Sequence, residues 1–145
     1  MKLLILNGPN LNLLGRREPA LYGTRTYADL ECFLHAHAAR LGCEIDVRQS
    51  NHEGVLVDWV QEAYGKFDGI VINAAAYTHT SVALLDALLA VGLPAVEVHL
   101  TVPEEREPFR RVSYLRAACS AVFSGHGFDS YRLAMEYLCG TFSAQ

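Results

Sequence analysis

The sequence has no long apolar run, no metal-binding cysteine spacing and no familiar nucleotide fingerprint. No stretch is long and apolar enough to span a bilayer. The amino terminus offers only Leu3-Leu4-Ile5-Leu6 before Asn7-Gly8-Pro9. That is too short for the core of a secretion signal, so a cytoplasmic protein is expected. The four cysteines, Cys32, Cys43, Cys119 and Cys139, match no CxxC pattern. Three of them lie in apolar or helical contexts, and the set reads as reduced core or near-core thiols. GxxxxGKS/T, GxSxG and HExxH are all missing. Twelve basic residues face sixteen acidic ones, the net charge is −4, and the basic residues form no single long run. Nucleic acid and anionic membranes are therefore not the default partners, although a local cluster could hold a small anion.

What is present is a chain of 145 residues, 51% hydrophobic, without repeats or low-complexity segments. That length predicts one domain, residues 1–145, with a sizeable core. Short apolar runs at 2–6, 44–49, 69–73, 95–100 and 121–124 have ordinary strand length. The first, third and fourth are almost continuously apolar, as in strands buried on both faces. The second, EIDVRQ, alternates and belongs near an edge. Between them lie helical patterns. One runs over 26–41, opened by a Thr26/Asp29 capping box and ended by Gly42. A second follows a Ser50/Glu53 box and runs through Tyr64 to Gly65. A third spans 81–91 before Gly92, and a last one runs from about 129 to 139. The stretch 103–118 reads as a loop with short helical turns. Strands alternating with helices imply an α/β fold with helices on both faces of a parallel sheet. Five such units fit a flavodoxin-like three-layer sandwich of strand order 2-1-3-4-5.

In such sheets ligands bind beyond the carboxyl ends of the strands. Strand one runs into NGPNLNLLGRREPALYG, strand two into QSNHE, and strand three into NAAAYTHTS. Strand four carries EVHL into TVPEEREPFRR, and strand five ends at SGHG. Four of the six histidines, His52, His79, His99 and His126, therefore fall at or near those ends. His52 and His126 fit ordinary loop positions. His99 is harder to set aside: a histidine on an apolar strand is commonly a satisfied core residue, but this one closes the strand, two residues after Glu97. His35 and His37 lie two apart on a helix, on different faces, and make poor joint metal ligands. The one GxG, Gly125-His126-Gly127, follows the last strand, and NGPN after the first contains Pro9, which has no N–H for a phosphate. A metal-free site built from Tyr, His, Arg and Asn is expected.

The seventeen residues from Asn7 to Gly23 are long for a connection and place Arg16 and Arg17 near Tyr22. A free phenol ionises near pH 10, and lowering that by three units takes roughly 4 kcal/mol of preference for the anion. One guanidinium within about 4 Å, at an effective dielectric of 20, supplies about that much. An arginine-activated tyrosinate is thus a workable general base. A surface loop with an inward-packed tyrosine explains the same residues equally well. The residues by themselves point to acid–base chemistry on a small, anionic molecule.

Taken in order, NGPNLNLLGRREPALYG, QSNHEG, NAAAYTHTSVALLDAL, EVHL and FRRVSYL resemble the type II 3-dehydroquinate dehydratases over nearly the whole chain. The resemblance implies dehydration of 3-dehydroquinate to 3-dehydroshikimate through an enolate, without metal or cofactor, in the shikimate pathway or in quinate catabolism. It implies Tyr22 as the base, Arg17 as the cation favouring its anion, and the loop carrying both as a mobile lid. Asn10 would hold a water at the enolate oxygen, and His99, oriented by Glu97, would protonate the departing hydroxyl. Asn73, His79 and Arg110 would bind ring hydroxyls, and the backbone N–H groups of Leu100 and Thr101 would bind the carboxylate. Asp86 would reach the site of a neighbouring subunit in trimers assembled as a dodecamer. The sequence departs from the family pattern at Thr101 and Val102, where serine and asparagine are usual. It departs again at Leu85, commonly arginine, at Val112, commonly histidine, and at Asp129 and Ser130. Such drift also fits a paralogue acting on a related substrate such as an amino-dehydroquinate. A non-catalytic flavodoxin-like module binding a flavin or a protein is the alternative of another class. It has no need of Tyr22, Arg17, Asn10 and His99 together.

Overall fold

A computed structural model describes residues 1–16 and 18–143. Five strands, β1 (Lys2–Asn7), β2 (Glu44–Gln49), β3 (Gly69–Asn73), β4 (Ala95–His99) and β5 (Ala121–Ser124), form one parallel sheet ordered β2-β1-β3-β4-β5. The expected flavodoxin-like order is the observed one. β1, β3 and β4 lie inside the sheet, and from Leu3 onward every one of their residues is buried. The alternating EIDVRQ segment lies at an edge and is half-buried.

Period-two alternation divides the core between the two faces. Leu3, Ile5, Val71, Val96 and Val98 pack under α2 (Tyr27–Leu41) and α5 (Asp129–Ser143), against Leu30, Leu34, Tyr131, Met135 and Leu138. Leu4, Leu6, Ile70, Ile72 and Ala95 pack under α3 (Glu53–Glu62) and α4 (Val82–Val91), against Leu56, Val60, Leu84 and Leu88. Each fully buried Leu or Ile contributes roughly 1.5–3 kcal/mol relative to exposure, so the two layers dominate stability.

The Thr26/Asp29 box forms as read: Asp29 N–H donates to Thr26 Oγ1 and Thr26 N–H donates to Asp29 Oδ2. Ser81 caps α4 by accepting from Leu84 N–H at 2.9 Å. The Ser50/Glu53 box does not form. Ser50 Oγ takes the N–H of His52, and His52 occupies the cap position of α3 without a side-chain cap bond. Ser50 is buried at the end of β2, two positions before the cap, too early to reach the third turn residue. The cysteine reading needs correction at Cys32, which is exposed, whereas Cys43, Cys119 and Cys139 are half-buried and pack against the core. Cys32 lies two residues from both Leu30 and Leu34, which turns it away from the face they bury.

Candidate active site

Parallel strands all end at one edge, and here each ends on a polar residue: Asn7, Gln49, Asn73, His99 and Ser124. Asn7 is in register with both Gln49 and Asn73, and His99 with Ser124. Beyond this edge lies a cleft. Its lining includes Tyr22, Asn73, His79, His99, Arg106 and Arg110, with Leu100 and Thr101.

Glu97 and His99 are two apart on β4, so both point to the same face of the sheet. His99 Nε2 donates to Glu97 Oε1 at 2.7 Å, and Glu97 is fully buried. An unpaired carboxylate there would be very costly. Burial alone would raise the Glu97 pKa. The His99 bond and charge, the Ser113 hydroxyl at 2.6 Å and the Arg116 guanidinium at 3.3 Å outweigh burial and hold it below the usual carboxylate range. With Nε2 committed to Glu97, His99 can deliver a proton to a ligand only from Nδ1, as an imidazolium.

Tyr22 ends a four-residue helix, α1 (Pro19–Tyr22), that buries none of its own residues. The earlier part of the same loop is better anchored, with Leu11 and Leu14 in the core. Arg106 Nη1 donates to the Tyr22 hydroxyl at 2.7 Å, and the guanidinium also lies over the ring, 5.5 Å from its centroid. Arg106 follows the short helical turn Pro103–Glu105, and its charge is shared only loosely with Glu18 and Glu107, each 3.9 Å away. The sequence reading missed this residue. Its signal in the sequence is a cation in the segment after β4, four residues before Arg110. Arg17, expected beside Tyr22, lies outside the described residues.

Asn73 is held by a buried chain of hydrogen bonds. Its Nδ2 donates to the Tyr131 hydroxyl at 2.9 Å, which in turn donates to Asn7 Oδ1 at 2.6 Å. The Asn73 Oδ1 accepts from Ala75 N–H, and Ala75 turns through a left-handed φ of 51°. That conformation is unfavourable for alanine by about 1–2 kcal/mol. Gly8 follows Asn7 and lies against Ala74 so closely that a Cβ would collide with its backbone carbonyl. These contacts lock the ends of β1 and β3 together at the cleft floor. His79 Nδ1 meets the carbonyl of Val112 at 2.7 Å and must therefore donate, leaving Nε2 free to accept. Since Val112 contributes its backbone here, its departure from the family pattern leaves this bond intact. Val102 packs on Gly125, where a Cβ would approach its Cγ2 to 2.6 Å, so an apolar residue fits that position. Arg110 pairs with Glu107 at 2.6 Å.

Three of the expected site residues, Glu97, Asn10 and Asp86, are not in the cleft lining; Glu97 meets it only through His99. Asn10 is exposed on the loop after β1, at φ 68°, its N–H donating to Asn51 Oδ1. Asp86 is exposed on α4. His52 and His126 are exposed and also lie outside the lining.

The family model for class II dehydroquinase matches residues 1–139. The chain belongs to that family. It is 57% identical over 136 residues to a 3-dehydroquinate dehydratase of Phenylobacterium zucineum, covering 94% of each. It is 51% identical over 140 residues to catabolic 3-dehydroquinase 1 of Aspergillus terreus, covering 97% of this chain and 92% of that one. Among solved structures, type II dehydroquinase from Butyrivibrio crossotus superposes with a TM-score of 0.93 at 43% identity, over 95% of this chain and 97% of the other. The class II dehydroquinase fold thus accounts for the sheet. No helix among the described residues is long and apolar enough to cross a membrane.

Proposed function

We propose that this chain dehydrates 3-dehydroquinate to 3-dehydroshikimate through an enolate, with Tyr22 as general base and His99 as general acid. The activity itself, a hydro-lyase reaction, follows from membership of the class II dehydroquinase family. The observation that carries the division of labour is that Tyr22 and His99 line one cleft, each paired with a group of the charge its role needs. Arg106 donates to the Tyr22 oxygen at 2.7 Å and favours its anion. The Glu97 carboxylate accepts from His99 at 2.7 Å and favours its cation.

Tyrosinate takes a proton from the carbon beside the ketone, and the C–H electrons move into the enolate. The enolate then collapses, the C–O bond breaks, and the hydroxyl leaves as water with the proton from His99 Nδ1. Preorganised donors at a developing oxyanion are worth about 3–4 kcal/mol each. A water held by Asn10 takes that role here. Asn73, His79 and Arg110 bind ring hydroxyls, and the N–H groups of Leu100 and Thr101 receive the substrate carboxylate. Arg17 adds a second cation beside Tyr22, and the part of the loop carrying both closes as a lid. Asp86, exposed on α4, reaches the cleft of a neighbouring copy in trimers that build a dodecamer. The reaction needs no cofactor, and the enzyme works in the cytoplasm. The test is an absorbance assay with 3-dehydroquinate that follows the conjugated enone of the product, with a chelator as control. Turnover that survives chelation is expected. Folded protein without turnover would overturn the proposal.

A further inference from the structure

Glu97 has a second layer of partners that the reaction scheme does not use. Its Oε1 accepts from both His99 and Ser113, and its Oε2 accepts from Arg116 Nε at 3.3 Å. Arg116 lies on the helical turn Leu115–Ala118 and forks, its Nη1 donating to Glu104 Oε1 at 2.8 Å. Glu104 comes from the separate turn Pro103–Glu105 and is itself close enough to His99 to act on its charge. Cys119 also adjoins Glu97 and Arg116, and burial pushes its thiol up to about 12, so it stays neutral. On the cleft side His99 shares the lining with Tyr22, His79, Arg106 and Arg110. Arg116 is the guanidinium that touches both Glu97 and Glu104.

We propose that Arg116 is a positioning residue that sets the acidity of His99 by dividing its charge between Glu97 and Glu104. The inference rests on His99 being the general acid. A bare buried Glu97 carboxylate would hold the imidazolium tightly and make it a reluctant donor. Arg116 offsets part of that negative charge, keeps the carboxylate ionised to lower pH, and so loosens the proton on Nδ1. Its reach depends on the planar fork, with Nε on one acid and Nη1 on the other, which a lysine ammonium cannot reproduce. Arg116 is 41% exposed, so solvent screens the effect and its size is modest.

The test is kcat against pH for Arg116→Ala, Arg116→Lys, Glu104→Gln and His99→Ala. In Arg116→Ala the alkaline limb of the profile, which follows the His99 imidazolium, moves to higher pH, while the acid limb, which follows Tyr22, stays in place. A displacement of about half a unit raises the variant-to-native ratio roughly threefold on the alkaline limb relative to the plateau. Arg116→Lys restores part of the displacement. Glu104→Gln removes an anion near His99 and moves the alkaline limb the other way, a sign reversal that mere loosening of the loop would not produce. A uniform loss at every pH, or profiles that superimpose on the native one, would overturn the role of Arg116 provided His99→Ala has lost its rate. If His99→Ala keeps most of its rate, the acid assignment fails first and this inference fails with it.

Discussion

The His99 end of the cleft and the Tyr22 end are built by different means. His99 and Glu97 share one buried strand, and their contact follows from the two-residue repeat of a β-strand. Tyr22 sits on a short helix with no buried residue and receives its cation from a position 84 residues further along the chain. His99 is held by the sheet. Tyr22 is held by two loops, and its geometry is only as good as their docking. Geometry at the first end is thus fixed when the core folds, whereas at the second it depends on the loop being in place.

The sharpest way to break this contrast is Tyr22→Phe. It should remove turnover, by at least roughly 10³-fold, while thermal unfolding and ligand binding stay near native. Unchanged turnover would take Tyr22 out of the mechanism. Next is Arg106→Ala, which should cost about 10–100-fold in kcat, with Arg106→Lys losing less. A kcat that does not respond would show that the loops do not need this bridge. Smaller again is Tyr131→Phe, which deletes the hydroxyl between Asn73 and Asn7. About 1–3 kcal/mol of stability should go, because two buried amides lose a partner. KM should rise several-fold with kcat little changed, since Asn73 loses its fixed orientation. A loss of stability without any change in KM would separate the buried chain from substrate binding.

The smallest expected effect concerns stability at high pH. Burial pushes the Tyr27 phenol up to about 12, with Asn7 opposing and Glu31 adding to the rise. Tyr131, fully buried, is pushed up further by the same cause. The fold therefore favours neutral phenols. Their contribution is whole below about pH 10, where the unfolded chain begins to ionise, and is lost as pH rises towards the folded value. Urea unfolding at about pH 8 and about pH 11 should show the loss, and Tyr27→Phe should remove part of it. A variant that loses as much as the native chain would exclude Tyr27 as a source.

What could be read from the sequence follows from the range of the interaction. Strand limits, the Thr26 cap and the Glu97–His99 pair are local or periodic, so pattern alone exposes them. Arg16 and Arg17 drew attention as partners for Tyr22 because they are close in sequence, yet Arg106 makes the described contact. Ser113 and Arg116 reach Glu97 across 16 and 19 positions and carry no signature of their own. Asn73 was legible as a strand-end polar residue, whereas its dependence on Tyr131, 58 residues later, was not. The Ser50 box failed for the opposite reason, since the spacing was right but the strand ran too far for the helix to start there.

The Asn7–Tyr131–Asn73 chain also has a consequence for the order in which the molecule comes to exist. Domains are synthesised from the amino end, and all five strands precede α5. A nascent chain could pair its whole sheet while the amides of Asn7 and Asn73 still lacked the hydroxyl that aligns them. α5, which leaves the ribosome after the sheet, completes the floor of the cleft, so the chain acquires its architecture before it acquires its enzyme.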